Sequence, residues 1–298
     1  MKIITLTLSP ALDVTYALAG EVKRGLNRAL SHSLTAGGKG INVARAIMRE
    51  AEILGRAAQV SALYPSGGVT GDLLSSALAM EGISTIAVKT AENCRINVSA
   101  ISSDSEDVEI NARGAAISEV ELSKIESELD VLTEGDVLAI CGSVPAGVEK
   151  SYYARLIRKM KDRGVICVLD CDGEALRIAV CGDCPPDYVK PNESEIDEFC
   201  ESIGADVSAE AIVTASGGRC AVIATYGGSG AAIFTSCCSA RVDATPVKPK
   251  RLKGAGDTLL GVYLYHRFVL REGEEASLTS AVKAAGEYVA SEERKEKR

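Results

Sequence analysis

Three small residues, Gly254, Ala255 and Gly256, stand immediately before one carboxylate, Asp257, and an apolar helix-like run from Leu259 to Leu264 follows. Small residues let backbone N–H groups approach an anion closely, and a helix start adds partial positive charge there. A carboxylate beside such a nest can accept a proton while the nest holds phosphate oxygens, which is the chemistry of phosphoryl transfer. The competing reading of the same residues is a glycine turn with Asp257 as a helix cap. A second glycine-rich stretch, Ala36-Gly37-Gly38-Lys39-Gly40-Ile41-Asn42, leads into a helix pattern with Ile41, Ala44, Ile47 and Met48 on one face. Backbone donors at that helix start, together with Lys39, suit a phosphate or sugar hydroxyls. This is not a Walker phosphate loop: Gly40 follows Lys39 where Ser or Thr is required, and Ser33 occupies the upstream glycine position.

The elements that must position these residues alternate between strand and helix patterns. Ile3 to Leu8 reads as a strand, broken by Ser9-Pro10, with Asp13 just beyond. Ala58 to Leu63 reads as a strand, Pro65 to Gly68 as a turn and Gly71 to Glu81 as a helix. Ser118 and Glu121 form a capping-box pattern for a helix running to about Leu132. Val137 to Cys141, Val165 to Leu169, Tyr188 to Lys190 and Cys220 to Ala224 read as further strands, and Glu274 to Glu293 as a last helix. Repeated units of this kind imply a mostly parallel sheet covered on both faces. Asp13, Gly142, Asp170, Asn192, Thr225 and Asp257 all fall just after strands or at a helix start, where open α/β sheets place their ligands.

Some stretches leave two readings open. Asn192 and Glu195 are either a plain capping pair or, through water, partners of Mg²⁺. Thr225-Tyr226-Gly227-Gly228-Ser229-Gly230 is either a hairpin turn or a nucleotide seat. Residues 14–34 and three short runs near Ile86, Ile96 to Ile101 and Val108 to Ile110 suggest a small antiparallel sheet inserted in the alternating pattern. On it Arg95, Asn97, Glu109 and Asn111 face either solvent or a cleft.

The chain of 298 residues is 46% hydrophobic and carries a net charge of -8. That composition supports a real core, and the charge argues against a nucleic-acid surface. There is no apolar run long enough for a transmembrane helix. A buried first strand explains Ile3 to Leu8 better than a secretory signal does, so a cytoplasmic protein is expected. Of the ten cysteines, Cys141, Cys167 and Cys220 sit in apolar runs, and Cys181-Gly-Asp-Cys184 is a lone pair with only His32 and His266 as histidines in the chain. Reduced thiols without a sulfur-bound metal are expected.

Taken together, these stretches resemble the ribokinase-like sugar kinases of the phosphofructokinase B branch, from about Ile3 to Gly286. Gly37 to Ala44 matches the family's first signature and Gly254 to Thr258 its second. Gly142 to Pro145, Lys190-Pro191-Asn192 with Glu195, and Thr225 to Gly230 match in order between them. Within the branch, Lys39 between glycines and Arg95-Ile96-Asn97-Val98 look like the enzymes that phosphorylate fructose 1-phosphate. Tagatose-6-phosphate kinase is the runner-up, and a 6-phosphofructokinase of the same branch is also in view.

The resemblance implies one Rossmann-like, ribokinase-like α/β domain over residues 1–298. It also implies a small β-sheet lid from about 12–35 and 88–113, with lids of two subunits pairing as a homodimer. It implies ATP and Mg²⁺ as cofactors and a ketohexose phosphate as acceptor. Asp257 would be the general base, and Gly254, Ala255 and Gly256 the anion hole. Asp13, Gly38, Lys39, Asn42 and Arg95 would hold the sugar phosphate. Lys190, Asn192, Thr225, Gly227, Gly228 and Gly230 would line the ATP site, with Asn192 and Glu195 reaching Mg²⁺ through water. Three positions depart from the family: Arg251 and Leu252 stand where an Asp or Asn and a small residue are usual, and Ser99 stands where Lys is common. Arg251 is expected to replace a monovalent cation that an acid at this position helps to hold. A non-catalytic sugar-phosphate sensor on the same fold is the alternative from a different class. A dinucleotide-dependent dehydrogenase is not supported, because Leu259 stands where the third glycine of the fingerprint belongs.

Overall fold

The computed structural model describes residues 1–102 and 107–291. The charged tail Glu292 to Arg298 and residues 103–106 of the expected lid lie outside the described residues. The first half of the chain runs β1 (Lys2–Leu6), β2 (Ala11–Leu18), β3 (Ala29–Gly37), α1 (Lys39–Leu54), β4 (Gln59–Gly67), α2 (Gly68–Met80), β5 (Thr85–Thr90), β6 (Arg95–Ser102), β7 (Val108–Ile110) and α3 (Glu119–Glu128). It continues with β8 (Val137–Cys141), α4 (Tyr152–Lys161), β9 (Ile166–Asp170), α5 (Gly173–Cys181), β10 (Tyr188–Val189), α6 (Glu193–Ile203) and α7 (Ala209–Ala215). The last part is β11 (Ala221–Thr225), β12 (Ala231–Phe234), β13 (Ser239–Val242), α8 (Ala255–Leu264) and α9 (Glu274–Ala290).

Nine strands form one sheet in the order β13-β12-β11-β10-β9-β8-β1-β4-β5. The strands from β5 to β11 are parallel, and the β12–β13 edge is antiparallel. Strand side chains point alternately to the two faces, so each strand feeds two cores. Leu138 and Ile140 of β8 join the layer packed under α3 to α7, whereas Val137, Ala139 and Cys141 join the layer under α1, α2, α8 and α9. With helices on both faces, this is a mixed α/β fold, the class that the resemblance implies. The chain leaves β1 toward β4 and β5 on one side and toward β8 on the other. A crevice therefore opens at the carboxyl ends of β1, β8 and β9.

The second sheet has four strands in the order β3-β2-β6-β7. Its membership corrects the boundaries read from the sequence. The run near Ile86 is β5 and pairs in parallel with β4 at the edge of the large sheet, so residues 88–90 do not belong to the small one. The small sheet is also mixed: β6 pairs in parallel with β2 and antiparallel with β7. A periodicity argument sees each strand but not its partner. Likewise Pro65 to Gly67 extends β4 rather than forming a turn, and α2 begins at Gly68. The Ser118–Glu121 capping box is present as expected.

The register divides the small sheet by chemistry. Asp13 pairs with Thr35 and Asn97, and Ala11 pairs with Arg95, so Asp13, Asn97 and Arg95 share one face. Val14 pairs with Leu34 and Val98, which in turn pairs with Ile110, so the opposite face is apolar.

Candidate active site

Helix α8 starts at Ala255, with Gly254 at its N-cap position in a left-handed conformation, φ 87°. A Cβ there would stand 2.7 Å from the Tyr288 hydroxyl, so only glycine fits. Asp257 lies in the first turn and is not a cap. Its Oδ2 instead accepts a hydrogen bond from Asn42 Nδ2 at 2.8 Å, which ties the second glycine motif to the first. Ala255 N–H donates back to Leu252 O at 3.2 Å. The Gly256 and Asp257 amides remain as helix-start donors with no intrahelical acceptor.

Asn42 is itself held. Arg45 donates to its Oδ1 at 2.6 Å and to Ala36 O at 2.9 Å, while Glu81 anchors the guanidinium. Asn42 therefore presents its amide N–H₂ to Asp257 rather than its oxygen. Asp257 is buried. Burial, with Asp170 nearby, pushes its carboxyl up to about 6 against the opposing pull of Asn42, Lys190 and Lys39.

Lys39, the first residue of α1, reaches across the crevice and donates to Asp170 Oδ1 at 3.0 Å, with Glu195 Oε1 at 3.7 Å. Lys190, just past β10, lies 3.3 Å from Asp170 Oδ2. Burial disfavours the Asp170 carboxylate, but Lys190 and Lys39 outweigh it and hold the acid below its usual range. Burial also opposes the Lys39 ammonium, and Asp170, Glu195 and Asp257 together raise its pKa regardless. Asp257, Lys39, Asp170, Lys190 and Glu195 thus form one electrostatic cluster at the strand ends. Lys190 also stands 3.6 Å from the point a Cβ on Gly256 would occupy.

The structure brings Asp257, Gly254 to Gly256, Lys39, Asn42, Lys190 and Glu195 together. Asn192 and Glu195 form the reciprocal capping box at the start of α6, each backbone N–H donating to the other's side chain at 2.9 Å. Asn192 also bridges to Thr225 at the end of β11. The glycines that follow make the turn of a hairpin between β11 and β12, with Gly227 to Ser229 in one tight helical turn. Gly230 has φ 100°, and a Cβ there would meet Val242 O.

Gly38 has φ 141° and packs on Thr7. Asp13 accepts from Asn97 Nδ2 at 2.8 Å and pairs with Lys253 at 3.3 Å. Arg95 donates to Ala112 O at 3.2 Å, and its Nε is buried without a hydrogen-bond partner. From the sequence, Asp170 stands at a strand end without a role, Asn97 faces either solvent or a cleft, and Lys253 is expected to add charge near the ATP phosphates; the structure instead pairs Lys253 with Asp13. A carboxylate closing a buried strand was the available signal for Asp170. Nothing local marks Lys253 as the partner of Asp13.

Residues 7–294 match the pfkB family carbohydrate kinases, and the chain belongs to that family. It is 33% identical over 293 residues to the ATP-dependent 6-phosphofructokinase isozyme 2 of Escherichia coli (strain K12), covering 95% of this chain and 89% of the relative. It is 30% identical over 267 residues to the 1-phosphofructokinase of Bacillus subtilis (strain 168), covering 88% and 84%. The crystal structure of the phosphofructokinase-2 from Escherichia coli in complex with substrates and products superposes with a TM-score of 0.86 at 29% identity, over 97% of this chain and 94% of that one. The protein is a sugar-phosphate kinase, a phosphotransferase with an alcohol group as acceptor, and ATP is its expected phosphoryl donor.

Proposed function

We propose that the protein transfers the γ-phosphoryl group of ATP to the free primary hydroxyl of a ketohexose phosphate, with fructose 1-phosphate as the leading acceptor. The observation that carries this reading is Asp257: a buried acid at a helix start, raised to about 6, beside Asn42 and two lysines. A carboxyl near 6 is ionised at neutral pH yet basic enough to take an alcohol proton as that oxygen attacks phosphorus. The Gly256 and Asp257 amides face the position where charge gathers on the transferring group. Asn42 orients the carboxylate. Lys39 and Arg95 are the cations for the sugar phosphate, with Asp13 and the Gly38 backbone taking hydroxyls. Lys190, Asn192, Thr225, Gly227, Gly228 and Gly230 line the nucleotide side. The polar face of the small sheet covers the cleft as a lid and keeps water from the γ-phosphate.

Mg²⁺ suits this donor set. It favours one or two carboxylates completed by phosphate oxygens and water. Among the described residues there is no group of three or more His, Cys, Asp or Glu that could cage an ion. Asp170 Oδ2 is buried and paired with Lys190 at 3.3 Å, and Glu195 stands across Lys39 from Asp170. Asp170, and Asn192 with Glu195 through water, would hold the ion, which neutralises charge on the phosphates when bound.

The apolar outer face of the small sheet supports a homodimer. Tyr16, Leu34, Ile96 and Ile110 are 40%, 38%, 43% and 63% exposed, all on the face away from Asp13. Contiguous apolar surface of this kind marks an interaction site, and a second copy offers a self-complementary one.

Lys39 between glycines supports fructose 1-phosphate. The 33% identity to the Escherichia coli 6-phosphofructokinase favours fructose 6-phosphate as the second reading, and tagatose 6-phosphate is a third candidate. A coupled ADP-release assay over fructose 1-phosphate, fructose 6-phosphate, tagatose 6-phosphate and unphosphorylated sugars separates them. Turnover confined to an unphosphorylated sugar or a nucleoside would remove the proposed acceptor class.

A further inference from the structure

The ten thiols of the chain divide sharply by environment. Cys94, Cys141, Cys167, Cys171, Cys200 and Cys220 are buried, whereas Cys237 and Cys238 are adjacent and both exposed. They lie in the turn between β12 and β13. Phe234, the residue before that turn begins, pairs with Val222, and Ala231 at the other end of β12 pairs with Thr225. The turn is therefore at the strand-start end of the sheet, roughly 10–13 Å along β12 from the phosphoryl-transfer end.

Thr235 holds the turn closed. Its N–H donates to Cys238 O at 2.9 Å, and its hydroxyl accepts from Cys237 N at 3.3 Å and from Cys238 N at 3.0 Å. The two Sγ atoms stand 4.0 Å apart, and Thr235 Oγ1 is 3.4 Å from one and 3.2 Å from the other. Contacts with Thr235 and Cys238 hold the Cys237 thiol below its ordinary value, so more of it is the nucleophilic thiolate at neutral pH. The other surface pair differs. Partial burial pushes the Cys181 thiol up, and the loop it shares with Cys184 is fixed through Arg219, which donates to Asp183 O and Gly182 O.

We propose that Cys237 and Cys238 form a dithiol site for a soft centre that bridges two sulfurs, of the trivalent organoarsenical class. The geometry selects this class over zinc. Zinc in a protein site takes three or four protein ligands, and among the described residues there is no third His, Cys, Asp or Glu grouped with these two. The reaction balances without oxidant or reductant. Both S–H bonds and the bonds of arsenic to its oxide oxygen break, two S–As bonds form, and the two protons leave with that oxygen as one water. Arsenic remains trivalent and both sulfurs remain at the thiol oxidation level. The second S–As bond closes intramolecularly, so release by a monothiol is slowed by roughly 10²-fold or more relative to a single-sulfur adduct.

Intact-mass measurement of the reduced full chain with one equivalent of phenylarsine oxide tests the site. The expected result is one adduct that survives excess glutathione, is removed by 2,3-dimercaptopropanol, and maps to the peptide holding Cys237 and Cys238. C237S should lose the glutathione-resistant adduct, and the double variant C181S/C184S should keep it. An adduct that maps to Cys181 and Cys184, persists in C237S, or washes out with glutathione overturns the proposal. Because the turn is remote from Asp257, the adduct should leave any kinase activity intact. Parallel loss of activity would instead indicate modification of a buried thiol near the cleft, such as Cys141, and would also overturn it.

Discussion

Lys253 Nζ lies 3.3 Å from Asp13 Oδ2, joining the loop before α8 to the first strand of the small sheet. The pair ties the start of α8 to the polar face of the small sheet. Lys253 is 54% exposed, so the pair adds at most about 1 kcal/mol to stability. Its larger effect is on where the Asp13 carboxylate stands. Lys253→Met should raise KM for the sugar phosphate by up to about fivefold, the equivalent of about 1 kcal/mol, and leave KM for ATP unchanged. Steady-state kinetics on K253M, D13N and the double variant check this. Strictly additive effects would separate Lys253 from Asp13.

Removal of the Asp257 carboxylate is the direct test of the base. Asp257→Asn keeps the side-chain volume, and its rate should fall by roughly 10²–10⁴-fold. ATP binding, followed by calorimetry, should be nearly unchanged. Equal losses in rate and in nucleotide affinity would point to a binding role for Asp257.

The raised carboxyl of Asp257 also sets a pH dependence. The base is active when ionised, so kcat/KM should rise with pH through a limb near 6 in the free enzyme. Lys39 lowers this value, so in Lys39→Met the limb should move to higher pH whatever the loss in absolute rate. A limb that stays in place would detach Lys39 from Asp257.

The same shift has a stability consequence. An acid raised from 3.8 to about 6 on folding costs nothing below its unfolded value, and its full cost is present above its folded one. At about 1.4 kcal/mol per unit, the ionised Asp257 destabilises the fold by ~3 kcal/mol at neutral pH. Asp257→Asn should therefore be more stable than the parent at pH 8 and no more stable below pH 4. Urea unfolding at the two pH values measures this, and a variant destabilised at both would contradict it.

Arg251 is held where the loop before α8 meets the end of α9. Its Nε donates to Tyr288 O at 3.0 Å, and its guanidinium lies 3.6 Å above the Tyr288 ring, pinning the loop before α8 to the end of α9. A fixed guanidinium in this loop should make phosphoryl transfer indifferent to K⁺. A strong rate increase on adding K⁺ to a Na⁺-only assay would end that expectation.

The alternation of strand and helix, the two glycine-led helix starts and the acid in the second of them were legible in the chain because each is a local pattern of a few residues. Apolar periodicity names a buried strand, and small residues before a helix name an anion nest, with no knowledge of what lies opposite. The run near Ile86 was misassigned to the small sheet for the same reason: its own residues do not say which edge it joins.

What only the tertiary structure decided is who faces whom. Asn42 donates to an acid 215 positions away, and Lys39 to one 131 positions away. The first contact exists because α1 and α8 pack on one face of the sheet and start at the same crevice, and the second because β9 ends at that crevice. The basicity of Asp257 arises there too, since burial and the nearby Asp170 charge act through space. A residue's type declares the proton it can carry, but its neighbours set the pH at which it does so.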